Sequence, residues 1–282
     1  MMTVPRPFLK EDYYAIALDP VHIGTGGYRI GRVDNTIVRE PATRLPKIPG
    51  TSLAGVIRAY AALWLQVNDP ASGKYPGCAG KGGAEGEGHC GRSDCPICMA
   101  FGFSKKQRSF QGLAQFSDGQ LLLFPVHTLA GTVWMTSPER LNTADLEFQR
   151  PQGWDVDIVL VSPALANHLP QLDSGAKGLN LGWMLFDVDS SQSIPSVDLL
   201  GWSRHTAWKE LMTDRIAVIH ENHFSHLVNS ALEIRTSVAI NPRTGAQLGG
   251  ALFTYEALPR GSVVTFSLVV LDPRFFRVPK RS

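Results

Sequence analysis

The chain has 282 residues, 44% hydrophobic and 18% charged, enough to bury a substantial core as one large domain or one domain with sizeable insertions. No run of about 18 apolar residues occurs, which argues against a transmembrane helix. The N-terminal MMTVPRPFLKEDYY lacks the apolar stretch of a secretory signal, so a cytoplasmic protein with no membrane partner is expected. A formal net charge of +2 does not by itself point to nucleic acid.

Residues Tyr13 to Asp19 read as a strand entering the core, followed by the glycine-rich HIGTGGYRIGRVDN, a loop or loose hairpin. This stretch is not a phosphate loop: it lacks the Gly-Lys-Ser/Thr ending, and Arg29 stands where a dinucleotide fingerprint needs glycine. From here to Arg58 run Arg29, Arg32, Arg39, Arg44, Lys47 and Arg58 against only Asp34 and Glu40. Such a strip suits one face on phosphate and other faces on protein, and a plain solvated surface accounts for the same charges.

In IPGTSLAGVIRAYAALWLQV, the residues Leu53, Val56, Ile57, Tyr60, Leu63, Trp64 and Val67 recur at helical spacing. The pattern predicts an amphipathic helix capped by Thr51 or Ser52 and ending before Asn68-Asp69-Pro70. The following stretch, 70–98, is rich in glycine and small polar residues; it cannot pack a core and reads as an insertion that needs a staple. Strands follow at Leu113 to Ser117 and Leu121 to Val126, with a turn at Asp118-Gly119. Further strands are expected at Val156 to Ser162, Met184 to Val188, Arg215 to Ile219, Leu232 to Ile240, Ala251 to Leu258 and Val263 to Leu271. Helices are expected at Pro138 to Gln149, Ser203 to Met212 and Asn222 to Ala231, giving an α+β fold without internal repeats.

All four cysteines fall between Cys78 and Cys98, spaced Cys78-x11-Cys90-x4-Cys95-x2-Cys98. A tight cluster in a cytosolic chain points to metal rather than disulfides. The Cys-x2-Cys end resembles a zinc knuckle. Four thiolates make a closed, structural Zn2+ site that orders the insertion, with His89 an alternative to Cys90. In HENHFSH, His220, His223 and His226 stand three apart. They offer a rival reading as a standalone metal-dependent hydrolase, although the spacing is not that of zinc proteases and a packed or solvated helix surface explains it. Asp34 in GRVDN reads on its own as a turn residue.

Four segments in order resemble the RAMP-superfamily backbone subunits of type III CRISPR effector complexes, most closely the Cmr type. They are LDPVHIGTGGYRIGRVDNTIVRE leading to LPKIPGTSLAGVIRAY, then CPICMAFG, FPVHTLAGTVWMTSPERL and RTSVAINPRTGAQLGGALFTYEALPRGSVV. The resemblance implies a single RAMP domain over 1–282. Its core would be a modified RRM/ferredoxin-like one, with the zinc-knuckle or finger insertion at 70–98 and a thumb hairpin at about 236–256. It implies CRISPR RNA and complementary target RNA as partners, with further copies of the chain in a filament and other type III subunits.

By the same resemblance, Asp34 matches the family's cleaving aspartate. With a divalent cation (Mg2+ or Mn2+) it would support attack of the target's own 2′-hydroxyl on the adjacent phosphate, either binding the cation or accepting the hydroxyl proton. RNA contacts are expected from Arg32, Arg44, Lys47, Thr51, Ser52 and Arg58, with Asn241 and Arg243 at the thumb tip and backbone N–H groups of Thr51 to Ala54 holding phosphate. Ala54 stands where relatives carry lysine, which shifts electrostatic grip towards Arg58, Lys47 or Arg44. A catalytically silent RAMP subunit is the nearest alternative.

Overall fold

The computed structural model describes residues 6–26, 33–69, 78–80, 88–105, 108–173, 175–191, 194 and 206–276. Arg29, Arg32, most of the glycine-rich insertion and the start of the helix expected at Ser203 lie outside the described residues. The elements begin with β1 (Phe8–Ile16), β2 (Lys47–Ile48), α1 (Gly50–Asn68), α2 (Pro96–Phe101), β3 (Phe103–Lys105), β4 (Arg108–Phe110) and β5 (Ala114–Phe116). Next come β6 (Gly119–Thr128), β7 (Gly131–Thr136), α3 (Pro138–Thr143), β8 (Ile158–Val161), α4 (Pro163–Asn167), β9 (Gly178–Leu181) and β10 (Met184–Asp189). The chain ends with α5 (Thr206–Met212), β11 (Ile216–Val218), α6 (Glu221–Ser230), β12 (Glu233–Ile240), β13 (Gln247–Ala257) and β14 (Val263–Leu271). The mixture is α+β, as the sequence implies.

Two compact units form. One, here the sheet unit, comprises Tyr14–Lys47 and Gln120–Thr265. Its strands run β6-β7-β11-β8-β10-β9, with β11 parallel to β7 and β10 parallel to β8. The run Leu121 to Phe124 explains the position of β6: it is buried on both faces, at 2% exposure or less, and so occupies a sheet interior. Trp134 on β7 fills the core, and its indole N–H donates to the Gly261 carbonyl at 2.9 Å. The hairpin of β12 and β13, paired from Glu233↔Ala257 to Ile240↔Gln247, belongs to the same unit and contains the segment expected as a thumb.

The other unit, here the cysteine unit, comprises Met1–Tyr13, Ile48–Gly119 and Phe266–Ser282. Gly50 opens α1 where a side chain is impossible: a Cβ there would lie 2.3 Å from the Phe116 carbonyl oxygen. Neither Thr51 nor Ser52 caps the helix, contrary to the sequence expectation; the cap residue is Pro49 and no side chain of its own closes the turn. Instead the Gly50 N–H donates to the Asp118 carboxylate at 2.8 Å.

Three further expectations change. The strand expected at Tyr13 to Asp19 lies earlier, as β1. Asp118-Gly119 is not a hairpin turn, because β5 and β6 each pair antiparallel with β14 rather than with one another. The helix expected from Pro138 to Gln149 stops at Thr143, where Asp145 takes a positive φ of 55° and Leu146 and Phe148 turn into the core as loop residues.

The periodicity in α1 marks the helix correctly but not its buried side. Val56, Tyr60, Leu63, Trp64 and Val67 are exposed, Tyr60 at 70% and Trp64 at 63%. The opposite side, through Ala61, Ala62 and Leu65, packs on the cysteine cluster and α2. An apolar stripe therefore faces outward, which is uncommon on an isolated soluble chain.

Candidate functional site

Asp34 lies in the sheet unit, on a segment that adds to the edge of β13. The Asn35 N–H donates to the Thr254 carbonyl at 3.0 Å, and the Glu256 N–H donates back to the Asn35 carbonyl at 3.1 Å. These bonds hold Asp34 against Thr254. The Thr254 N–H donates to Asp34 Oδ2 at 2.7 Å and its hydroxyl donates to the same oxygen at 2.9 Å. The Thr254 backbone N–H, followed by its hydroxyl, holds the Asp34 carboxyl below the usual carboxylate range. Asp34 is thus a fixed, ionised carboxylate beside the base of the β12–β13 hairpin, not a loose turn residue.

A second carboxylate fixes the same segment. Glu256 accepts from the Ile37 N–H at 3.1 Å and pairs with Arg39 at 2.9 Å, both side chains being less than one-fifth exposed. Arg39 also donates to Asn229 at 2.7 Å, and Asn229 in turn donates to the Arg44 carbonyl at 3.1 Å. Ser225, on α6 with Asn229, donates to the Thr43 carbonyl at 2.8 Å. The arm from Asp34 to Arg44 is therefore clamped on α6 and β13. Arg39→Ala would leave Glu256 buried without its partner and is expected to lower stability by about 3 kcal/mol, measurable as a lower denaturant midpoint.

The basic residues separate by geometry. Arg44 is exposed, with a φ of 61° that turns the chain back towards Lys47. Lys47 is half-buried, and its N–H donates to the Val38 carbonyl at 3.1 Å. Arg58 points inward within the cysteine unit, donating from Nε to the Cys78 carbonyl at 2.6 Å and from Nη1 to the Gly102 carbonyl at 2.9 Å. At the start of α1 the N–H groups of Ser52 and Leu53 donate to the Pro49 carbonyl, and Asp118 holds that of Gly50. Asp118 thus holds the N–H that precedes those of Thr51 to Ala54, and Thr51 is exposed beside it. At the hairpin tip, Asn241 closes the turn by accepting from the Arg243 N–H at 2.9 Å, and Arg243 is exposed.

The cysteines gather as expected. The sulfurs of Cys78, Cys90, Cys95 and Cys98 lie within 4.8 Å of one another, and the Cys90–Cys98 and Cys78–Cys95 pairs are each 3.7 Å apart. A tetrahedron with metal–sulfur bonds of about 2.3 Å has edges of about 3.8 Å, so the cluster has the dimensions to hold a metal ion. His89 stays outside the set. Burial pushes the Cys98 thiol up to about 11 and raises that of Cys95 further. Cys98 donates its N–H to Cys95 Sγ at 3.5 Å, and the helical turn of α2 carries the Cys-x2-Cys pair.

The histidines do not converge. His220 precedes α6 and caps it, accepting from the Asn222 N–H at 3.3 Å, with its ring against Trp154 and its Nε2 at the Arg150 guanidinium. His223 faces Asp157 at 3.4 Å and packs on Phe186. Among the described residues, the metal-capable group is the cysteine set, so the hydrolase reading loses its metal centre. Thr254, Glu256 and Asp118 carry no signal in the sequence, because each acts on a segment between 68 and 220 residues away.

The comparisons with known proteins agree with this architecture. The RAMP superfamily matches residues 15–277. The CRISPR system Cmr endoribonuclease Cmr4 of Pyrococcus furiosus is 28% identical over 261 residues, covering 91% of this chain and 80% of that protein. The CRISPR system Cms endoribonuclease Csm3 of Methanothermobacter thermautotrophicus is 35% identical over 94 residues, 33% of this chain and 32% of that protein. Among solved structures, a chain of the type III-B Cmr-beta complex in its apo state superposes with a TM-score of 0.61 at 15% identity, covering 93% of this chain and 84% of that one. Oligomeric Cmr4 from Pyrococcus furiosus gives 0.58 at 21% identity, covering 94% and 82%. With one family spanning nearly the whole length and the same fold beneath it, the chain belongs to the RAMP superfamily.

Proposed function

We propose that the chain is a CRISPR RNA-binding backbone subunit of a type III, Cmr-type effector complex and cleaves guide-complementary RNA as an endoribonuclease through Asp34. The observation that carries this reading is the double clamp of Thr254 on Asp34, which fixes an ionised carboxylate at the root of the β12–β13 hairpin. In this reading the hairpin is the thumb that enters between guide and target, with Asn241 and Arg243 near its tip. It displaces a base at an unstacking cost of roughly a few kcal/mol and brings the neighbouring phosphate to Asp34.

The relatives named endoribonucleases support this chemistry. A carboxylate already holding two hydrogen bonds is a weak base, so Asp34 is better suited to a divalent cation than to the 2′-hydroxyl proton. One carboxylate with substrate phosphate is a common way to hold Mg2+, and the cation would supply charge neutralisation at the phosphate. Arg44, Lys47, Thr51 and Ser52 remain candidates for RNA contact, together with Arg32. Arg58, held by carbonyls of the cysteine unit, serves that unit instead. The exposed stripe of α1 suits a second copy stacked beside the first, as does the oligomeric state of one solved relative. The four cysteines are assigned a structural Zn2+, and the whole chain acts as one RAMP domain in the cytoplasm.

The test is reconstitution with guide RNA and partner subunits. The complex should cut complementary RNA at a regular series of sites only when a divalent cation is present. Binding of target without a ladder of cuts would select the silent scaffold instead.

A further inference from the structure

The residue that caps α6 stands between two hydrogen-bond donors. The Asn222 N–H points at His220 Nδ1 from 3.3 Å, and the Arg150 guanidinium meets Nε2. A neutral imidazole has one acceptor nitrogen, and a protonated one has none. The ring is buried against Trp154, and the Arg150 guanidinium lies over the same indole at 5.7 Å. Both neighbours carry positive charge, one a guanidinium and the other a helix N-terminus, so a second ring proton finds no acceptor here. The nearby acids are turned elsewhere: Glu221 accepts from the Glu139 N–H at 2.9 Å, and Asp157 faces His223 at 3.4 Å. Burial first, then Arg150, hold the His220 pKa below the usual histidine value, with His223 acting in the same direction and Glu221 against it.

The helix that this ring caps is the one on which the arm of Asp34 is clamped. Ser225 and Asn229, four residues apart and so on one face, donate to the Thr43 and Arg44 carbonyls, and Asn229 accepts from Arg39 at 2.7 Å. Phe224, Leu227 and Val228 bury the apolar side of α6. Ser225 lies just over one turn from the cap, so opening of the first turn releases its clamp before that of Asn229.

We propose that His220 is a positioning residue for target cleavage: its uncharged ring keeps α6 capped, and α6 keeps the Asp34 arm seated. This inference rests on the cleavage reading above. Protonation removes the cap and sets a cation against Arg150 and the helix end, so the ring leaves its place and the first turn frays. The stabilisation is present above the ordinary histidine pKa and is lost as pH falls through the lowered value. Asp34 stays ionised over that range, so its seating, not its charge, is what changes.

The test is amide hydrogen exchange of the full chain between pH 7 and 5, corrected for the intrinsic effect of pH, beside single-turnover cleavage by the guide-loaded complex at saturating target. In wild type, protection of the arm and of α6 should fall about tenfold or more as the ring charges, the worth of one helix cap. Asparagine is a good cap and does not titrate. His220→Asn should therefore hold that protection level and move the onset of the acid limb of cleavage to lower pH. His220→Ala should lose protection at both ends of the range, a loss that asparagine restores. His220→Asp, an equally good cap, replaces the asparagine variant if that one does not fold. The proposal is overturned by a wild-type arm that keeps its protection, by an equal loss in His220→Asn, or by an acid limb that is absent in wild type or unmoved in His220→Asn. Asp34→Ala run in parallel separates the two readings. If it is inactive while the limb is unmoved in His220→Asn, only the role of His220 fails. If it cuts normally, the cleavage reading fails, and the exchange comparison still judges whether His220 holds the arm.

Discussion

In the guide-loaded complex, Asp34→Ala is expected to slow target cleavage at least about 100-fold, or about 2.7 kcal/mol of barrier, with target affinity unchanged. The size follows from what the side chain holds. A fixed charge beside the reacting phosphate acts in the transition state without reorganising, and removing one such group typically costs about 10²–10³ in rate. Asp34→Asn should be nearly as slow, because the amide can still accept from Thr254 but carries no charge for a cation. The pH dependence has a definite sign. Thr254 holds the Asp34 carboxyl below its usual range, so Asp34 stays ionised throughout the neutral and mildly acidic range and is protonated only below ordinary carboxylate values. Any loss of cleavage between pH 7 and 5 must therefore arise elsewhere, and a wild-type acid limb there that survives in Thr254→Val would confirm that Asp34 is not its source. Unchanged cutting by Asp34→Ala would make Asp34 a loop residue and move the nuclease to another subunit.

What the sequence made legible was local. Cysteine spacing gave the metal-capable cluster, and a three-to-four periodicity gave α1. Alternation and turn residues gave β8, β10, β11, β12 and β14 nearly at their observed limits, whereas β13 begins at Gln247 rather than at the expected Ala251. Hidden were the groups that depend on distant partners. Nothing around Asp118 announces that its carboxylate closes the start of α1, and Arg58 reads as a surface cation until the Cys78 and Gly102 carbonyls are seen around it. The apolar stripe of α1 looked like a core face because periodicity reports that one side is apolar, not what covers it. Asp34 alone was ambiguous; the resemblance singled it out, and the Thr254 clamp supplied a physical reason for its position. The histidines misled for the opposite reason. Three-residue spacing presumes one helix, whereas His220 stands before α6 and serves as its cap.

Metal removal should have the other large effect, and it should act on the fold before it acts on chemistry. The purified chain is expected to carry one zinc, lost in Cys95→Ser and Cys98→Ser; these two sulfurs are buried within the small apolar cluster that also holds Ile97 and Phe103. Structural zinc sites bind with apparent free energies of about 10–16 kcal/mol near neutral pH, comparable with the whole stability of a domain. Chelation should therefore open the 78–98 segment to protease and lower the thermal midpoint, and added Zn2+ should reverse both. The effect should spread to α1, whose inner side packs on the cysteines and whose Arg58 binds the Cys78 carbonyl. Arg58→Ala should accordingly weaken zinc retention, a result that a solvent-facing RNA contact would not produce. Because thiols must lose their protons to bind metal, and burial has raised those of Cys95 and Cys98, retention should weaken as pH falls and strengthen as it rises. The sheet unit holds its own core around Trp134 and Leu122, so its melting should survive chelation. A chain without zinc, or one whose cysteine unit resists protease equally well after chelation, would leave the cluster as four packed thiols.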